Sequence, residues 1–77
     1  MIIDKIRKIT LCNQVEEMLK NFGENQEKSE YEVIIDRKNV FKVETDGKII
    51  ILYDFIDPDV FMFDSIDDFK EFVLKKW

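Results

Sequence analysis

The sequence has no histidine and no alanine, a single cysteine, a single proline and two glycines in 77 residues. Each shortage removes a class of chemistry. Without histidine, a hydroxyl or thiol nucleophile lacks its commonest activating base, and zinc lacks its commonest nitrogen ligand. Cys12 alone cannot close an internal disulfide. Gly23 and Gly47 are too few and too far apart for a glycine-rich phosphate loop. No run of apolar residues is long enough to cross a membrane, and the start carries no signal-like segment, so the chain reads as soluble and cytoplasmic. No enzymatic activity, metal or cofactor is expected. Cys12 falls on an apolar helix stripe, Ser29 in a charged loop and Ser65 at a helix cap.

The composition is that of a globular chain. Apolar residues make up 45% of it, too many for a disordered segment. Residues 1–77 form one domain, near the low end of what folds unstapled; such a chain buries only about 60% of its unfolded surface. Eleven isoleucines and ten lysines against two arginines suggest low-GC coding. Charge is uneven along the chain. Residues 1–52 carry ten acids and nine bases, whereas residues 53–71 carry seven acids opposed only by Lys70. No basic stripe offers itself to phosphates, so direct nucleic-acid binding is not expected. The acidic end would attract a partner with a basic surface.

Periodicity predicts an N-terminal helix ended by Gly23. Its apolar positions fall on two stripes, Leu11–Cys12–Val15–Met18–Leu19–Phe22 and Ile2–Ile6–Ile9. One straight helix cannot turn both to the same core. Either the chain breaks near Thr10–Asn13, where Asn13 and Glu16 resemble a capping box, or the isoleucines stay exposed or meet a partner. A polar loop at 23–30 is followed by four strand-like segments, YEVIID, NVFKVET, KIIILYDF and VFMF. The last segment, DSIDDFKEFVLKKW, is a helix with Ser65 and Asp68 in a capping pattern. Its stripe of Ile66, Phe69, Phe72, Val73 and Trp77 should fold back onto the sheet.

The loops set the expected register. Three-residue turns at Arg37–Asn39, Thr45–Gly47 and Asp57–Asp59 gather Tyr31, Val33, Ile35, Phe41, Val43, Ile49, Ile51, Tyr53, Phe55, Phe61 and Phe63 on one core face. The other face then shows Ile34, Ile50, Leu52 and Met62, with Val40, Lys42, Asp54, Ile56 and Val60 beside them. That is more apolar than a solvated sheet face normally is. It marks a surface covered by a helix, a homodimer contact, or a patch kept for a partner protein.

The aspartates of YDFIDPDVFMFDSIDDF also have to be tested as a cation site. An EF-hand loop begun at Asp57 would need an oxygen ligand at position 61 and glycine at 62. Phe61 and Met62 occupy those places, so no metal site is expected. Turn and cap roles account for several of these residues, and their uncompensated charge suits a basic partner.

The expected fold is therefore α+β: an N-terminal helix, a four-stranded antiparallel meander and a C-terminal helix packed on the sheet. In size, acidity and layout, though in no motif, this resembles small phage-encoded inhibitors of the anti-CRISPR type. The resemblance implies that Asp54, Asp57, Asp59, Asp64, Asp67, Asp68 and Glu71 stand in for phosphates in the basic groove of a nucleic-acid-handling protein. The chain's bases make a mixed acidic–apolar protein contact the better expectation. A toxin-neutralising immunity protein, or a structural module oligomerising through Ile34, Ile50, Leu52 and Met62, are the alternatives.

Overall fold

The computed structural model describes residues 4–22 and 28–77. Helix α1 (Lys5–Lys20) is followed by strands β1 (Ser29–Ile35), β2 (Lys38–Thr45), β3 (Ile50–Asp54) and β4 (Asp59–Phe63). Helix α2 (Ile66–Glu71) then runs into a π-helical segment (Phe72–Lys76). The strands form one antiparallel sheet in the order β1-β2-β3-β4. This is the α+β layout expected from the sequence.

Helix α1 starts at Asp4, whose extended backbone and side chain cap the first turn by accepting the Arg7 N–H at 2.8 Å. The helix continues unbroken through Thr10–Asn13, so Asn13 is not a second cap. A continuous helix can bury only one stripe. Leu11, Cys12 and Val15 take the core, and Ile6, at 77% exposure, and Ile9 are left on the surface. Gly23, Ile2 and most of the expected 23–30 loop lie outside the described residues, while Ser29 and Glu30 belong to β1.

The β1–β2 turn has two residues rather than three. Asp36 and Arg37 both adopt positive φ, 53° and 67°, as a type I′ turn requires. Asn39, expected in the left-handed region, is instead a strand residue paired with Ile34. A bulge between Val33 and Ile34 inserts Val40 opposite them, and Val40 joins the core. Tyr31 pairs with Val43 and Val33 with Phe41, so this hairpin keeps the expected core face.

Strand β3 is turned over relative to expectation. Both of its flanking loops have four residues, Asp46–Ile49 and Phe55–Pro58. An aspartate organises each loop. Asp46 accepts the N–H groups of Lys48 and Ile49 at 2.9 and 3.0 Å, and Asp54 accepts those of Ile56 and Asp57 at 2.9 and 3.2 Å. Lengthening each loop by one residue exchanges the faces of the strand between them. Val43 therefore pairs with Leu52 and Thr45 with Ile50, and Ile50 and Leu52 are fully buried. Ile49, Ile51, Tyr53 and Phe55, expected in the core, are only partly buried or exposed.

Both helices lie on this one inner face. Leu11, Cys12, Val15, Phe69 and Val73 form a single core cluster with Phe41, Val43, Ile50 and Leu52. Burying each large aliphatic or aromatic side chain contributes about 1.5–3 kcal/mol. Ser65, in extended backbone, caps α2 by accepting the Asp68 N–H at 3.1 Å. The C-terminal segment packs its rings on the sheet: Phe63 lies 5.4 Å from Phe69 and Phe61 lies 4.7 Å from Phe72. The widened last turn, closed by the Trp77 N–H on the Phe72 carbonyl, sets the indole edge-on against Phe41 at 4.4 Å.

Candidate functional site

With both helices on the inner face, the outer face of the sheet has no layer over it among the described residues. Two cross-strand rows build it, Glu30–Glu44–Ile51–Met62 and Glu32–Lys42–Tyr53–Val60. The rows change character halfway across. The β1–β2 half is charged and the β3–β4 half is apolar.

Most of the charged half is internally neutralised, and exposed Glu32 adds one further negative charge to it. Glu30 and Glu44 sit directly opposite each other, a repulsive placement, and two lysines bridge them. Lys42 reaches Glu44 at 2.8 Å and Glu30 at 3.7 Å, and Lys28 reaches Glu30 at 3.0 Å and Glu44 at 3.8 Å. The Tyr53 hydroxyl donates to the other Glu44 oxygen at 3.1 Å, and Lys42 lies 5.6 Å over the Tyr53 ring. The Lys42 bond holds the Glu44 carboxyl below the usual range, and the Glu44 bond raises both the Tyr53 hydroxyl and the Lys42 ammonium. This network stiffens the sheet and supplies no free charge for chemistry.

The apolar half is open. Met62 is 64% exposed; Val60, Phe55 and Ile56 are also exposed, and Phe55 stacks on Tyr53 at 6.4 Å. Tyr53, Phe55, Pro58, Asp59 and Val60 line one shallow depression on this half. Ile34, also exposed at 61%, lies on the far edge strand. An isolated exposed side chain needs no account, but this contiguous group does.

The acidic residues do not form one cluster. Asp54 is 4% exposed and its carboxylate is committed to the β3–β4 loop, so it is a structural cap and not a contact residue. Asp57 and Asp59 lie at one end of β4, and Asp64 lies just beyond the other. At about 3.3 Å per residue, Asp59 and Asp64 are about 16 Å apart. Asp67, Asp68 and Glu71 stand on the exposed side of α2, at the three- and four-residue spacing that shares a helix face. Ile50 and Leu52, read from the sequence as contact residues, are core residues because β3 is turned over. Among the described residues, no group of three or more cysteine, aspartate or glutamate side chains is placed to hold a metal ion. No helix among the described residues is long and apolar enough to cross a membrane.

Sequence reasoning missed Tyr53 and Phe55 as surface residues. The only sign was that KIIILYDF is apolar on both faces, which leaves the choice to loop length. Cys12 is buried, and burial raises its thiol pKa, which makes it a packing residue. Compared with protein-family models, curated proteins and solved structures, the chain matches none.

Proposed function

We propose that the protein is a non-enzymatic binding module that seats the Tyr53–Phe55–Val60–Met62 half of its sheet on a partner protein and blocks it. Asp57, Asp59 and Asp64 rim this half and would meet basic side chains around an apolar centre. The observation that carries the reading is the open apolar half-face itself. A fold this small has little apolar surface to spare, and here several large apolar groups stand exposed next to a half in which Glu30 and Glu44 are paired with Lys28 and Lys42. A standard interface takes about 800 Å² from each partner, so the contact would extend from the apolar groups onto the acidic rim. Desolvated apolar groups at the centre would carry affinity, and the rim would carry orientation and rate.

A nucleic-acid-handling protein is the partner class whose basic surface fits this charge. A toxin neutralised by an immunity protein is the second, and the identity of a captured partner separates them. The test is quantitative affinity capture from a bacterial lysate at physiological ionic strength, using three baits. They are the native chain, V60K/M62K, and D67N/D68N on the α2 surface. The native chain and D67N/D68N should retain the same stoichiometric protein, and V60K/M62K should lose it. The same retained proteins on all three baits would overturn the reading.

A further inference from the structure

The partner surface described above, apolar at its centre and basic at its rim, has a counterpart on this chain. Ile6 and Ile9 are exposed near the start of α1, on the stripe that the unbroken helix cannot bury. Leu74 of the C-terminal segment is also exposed and adjoins them: Lys5, Lys8, Ile9 and Leu74 line one shallow depression. The two segments are tied there by Lys8, whose ammonium donates to the Trp77 carbonyl. Arg7 is paired with Asp4 at 2.7 Å; Lys5 is exposed where it lines the depression, Lys75 and Lys76 follow Leu74 and are exposed, and Glu71, three residues before Leu74, is a further acid on this side. The patch is thus apolar with a rim in which bases outnumber acids. The β3–β4 half-face is apolar with an anionic rim.

We propose that a second copy of the chain docks on this helical patch, presenting its β3–β4 half-face to Ile6, Ile9 and Leu74, with Asp57 and Asp59 set against Lys5 and Lys75. The inference rests on the reading of the β3–β4 half-face as a docking surface and names a partner for it. Complementary charge favours the unlike pairing. Two β3–β4 half-faces brought together would oppose acid to acid, and two helical patches would oppose base to base. Because the two patches are different surfaces, the contact is heterologous: a docked pair still offers one unused patch of each kind, one at each end of the assembly. Growth past the dimer follows, and it weakens as salt screens the rims. Self-assembly of this kind would hold the docking face covered until a better-matched partner displaces the neighbouring copy.

The test is sedimentation velocity of the purified chain from about 10 µM to about 1 mM, at low salt and at about 0.5 M salt. Two variants accompany it: K5E/I6E, which breaks the helical patch, and V60K/M62K, which breaks the sheet half-face. Far-ultraviolet circular dichroism checks that both stay folded. The native chain should grow beyond a dimer with concentration at low salt and shift back toward monomer at high salt. Each variant alone should remain monomeric. An equimolar mixture of the two should stop at a one-to-one dimer, because each retains the patch that the other has lost. A native chain that stays monomeric at about 1 mM in low salt overturns the proposal. So does assembly of either variant alone, or a mixture that does not pair. None of these readouts involves an external partner. A monomeric chain that still captures a protein through Val60 and Met62 overturns self-docking and leaves the binding-module reading standing. Loss of both overturns both.

Discussion

Lys70, the only base in the acidic stretch 53–71, forms its ion pair with Glu16 of α1. The pair ties the two helices together across the inner layer. It also commits the one base of the stretch to a carboxylate of α1, while Asp67, Asp68 and Glu71 stand exposed on α2. The excess negative charge of this region is therefore a property of the folded surface as well as of the sequence. The same pair makes stability depend on pH.

Glu16 is held below the usual carboxylate range by its bond to Lys70, Glu44 by Lys42, and Asp46 by the N–H groups of Ile49 and Lys48. A carboxylate whose folded pKa is depressed stabilises the fold above its unfolded value and loses that contribution as pH falls through the folded one. Stability should thus decline as pH falls through and below the ordinary carboxylate range. On the alkaline side, Lys70, Lys42 and Lys28 are raised by their glutamate partners, so their contribution persists to the top of the lysine range and is lost above it. Denaturant titrations across pH check this. The variant E16Q should show a shallower acid decline than the native chain, and an unchanged slope would remove the pair from the explanation.

The orientation of β3 is tested by two alanine substitutions. Leu52 is fully buried between Val43 and Phe61, whereas Ile51 lies on the outer face between Glu44 and Met62. L52A should cost about 2–5 kcal/mol, the range for deleting a buried leucine side chain. I51A should cost well under half of that. Urea unfolding of the two variants measures the difference. A larger loss for I51A would mean that β3 faces the way three-residue loops would turn it.

Gly47 is required for two separate reasons. Its φ of +93° is strained for any L side chain, and an added Cβ would stand 2.9 Å from a ring carbon of Phe22. G47A should destabilise by about 1–3 kcal/mol. In an F22A background the ring contact is gone and only the backbone component remains, so the cost of G47A should shrink there. A double-mutant cycle by thermal melting reads the coupling. Equal costs in both backgrounds would leave strain as the whole effect.

Arg37 gives an opportunity for stabilisation. A left-handed residue other than glycine costs about 1–2 kcal/mol, and Arg37 holds that conformation at φ 67°. Glycine there relieves the strain but frees the unfolded chain, a penalty of about 0.4–1 kcal/mol. Strain is the larger quantity, so R37G should raise stability by about 0.5–1 kcal/mol. A fall in melting temperature would contradict the type I′ assignment.

The local signals that the chain carries in full were legible. Ser65 with Asp68 marked the start of α2, and its apolar stripe marked the face that packs on the sheet. Alternation in YEVIID and VFMF assigned Tyr31, Val33, Phe61 and Phe63 to the core side. What could not be read depended on loop chemistry acting at a distance. In KIIILYDF, Ile49, Ile51 and Tyr53 compete with Ile50 and Leu52 on nearly equal terms, so the strand's orientation was left to its loops. Those loops are four residues long because Asp46 and Asp54 fold back to accept two N–H groups each. The candidate site inherited the same ambiguity. Met62 and Ile34 kept the outer-face places that the expected register gave them, and Ile50, Leu52 and Asp54 changed sides with β3.

The central claim is that the outer half-face of β3 and β4 is where a partner protein sits. Photo-crosslinking tests it most directly, with p-benzoylphenylalanine in place of Met62 in one preparation and in place of Asp68 in another. Both positions are exposed, and only Met62 lies on the proposed surface. Irradiation in a bacterial lysate should give one discrete covalent adduct from position 62 and none from position 68. Equal adducts from both positions, or an adduct from position 68 alone, would contradict the account.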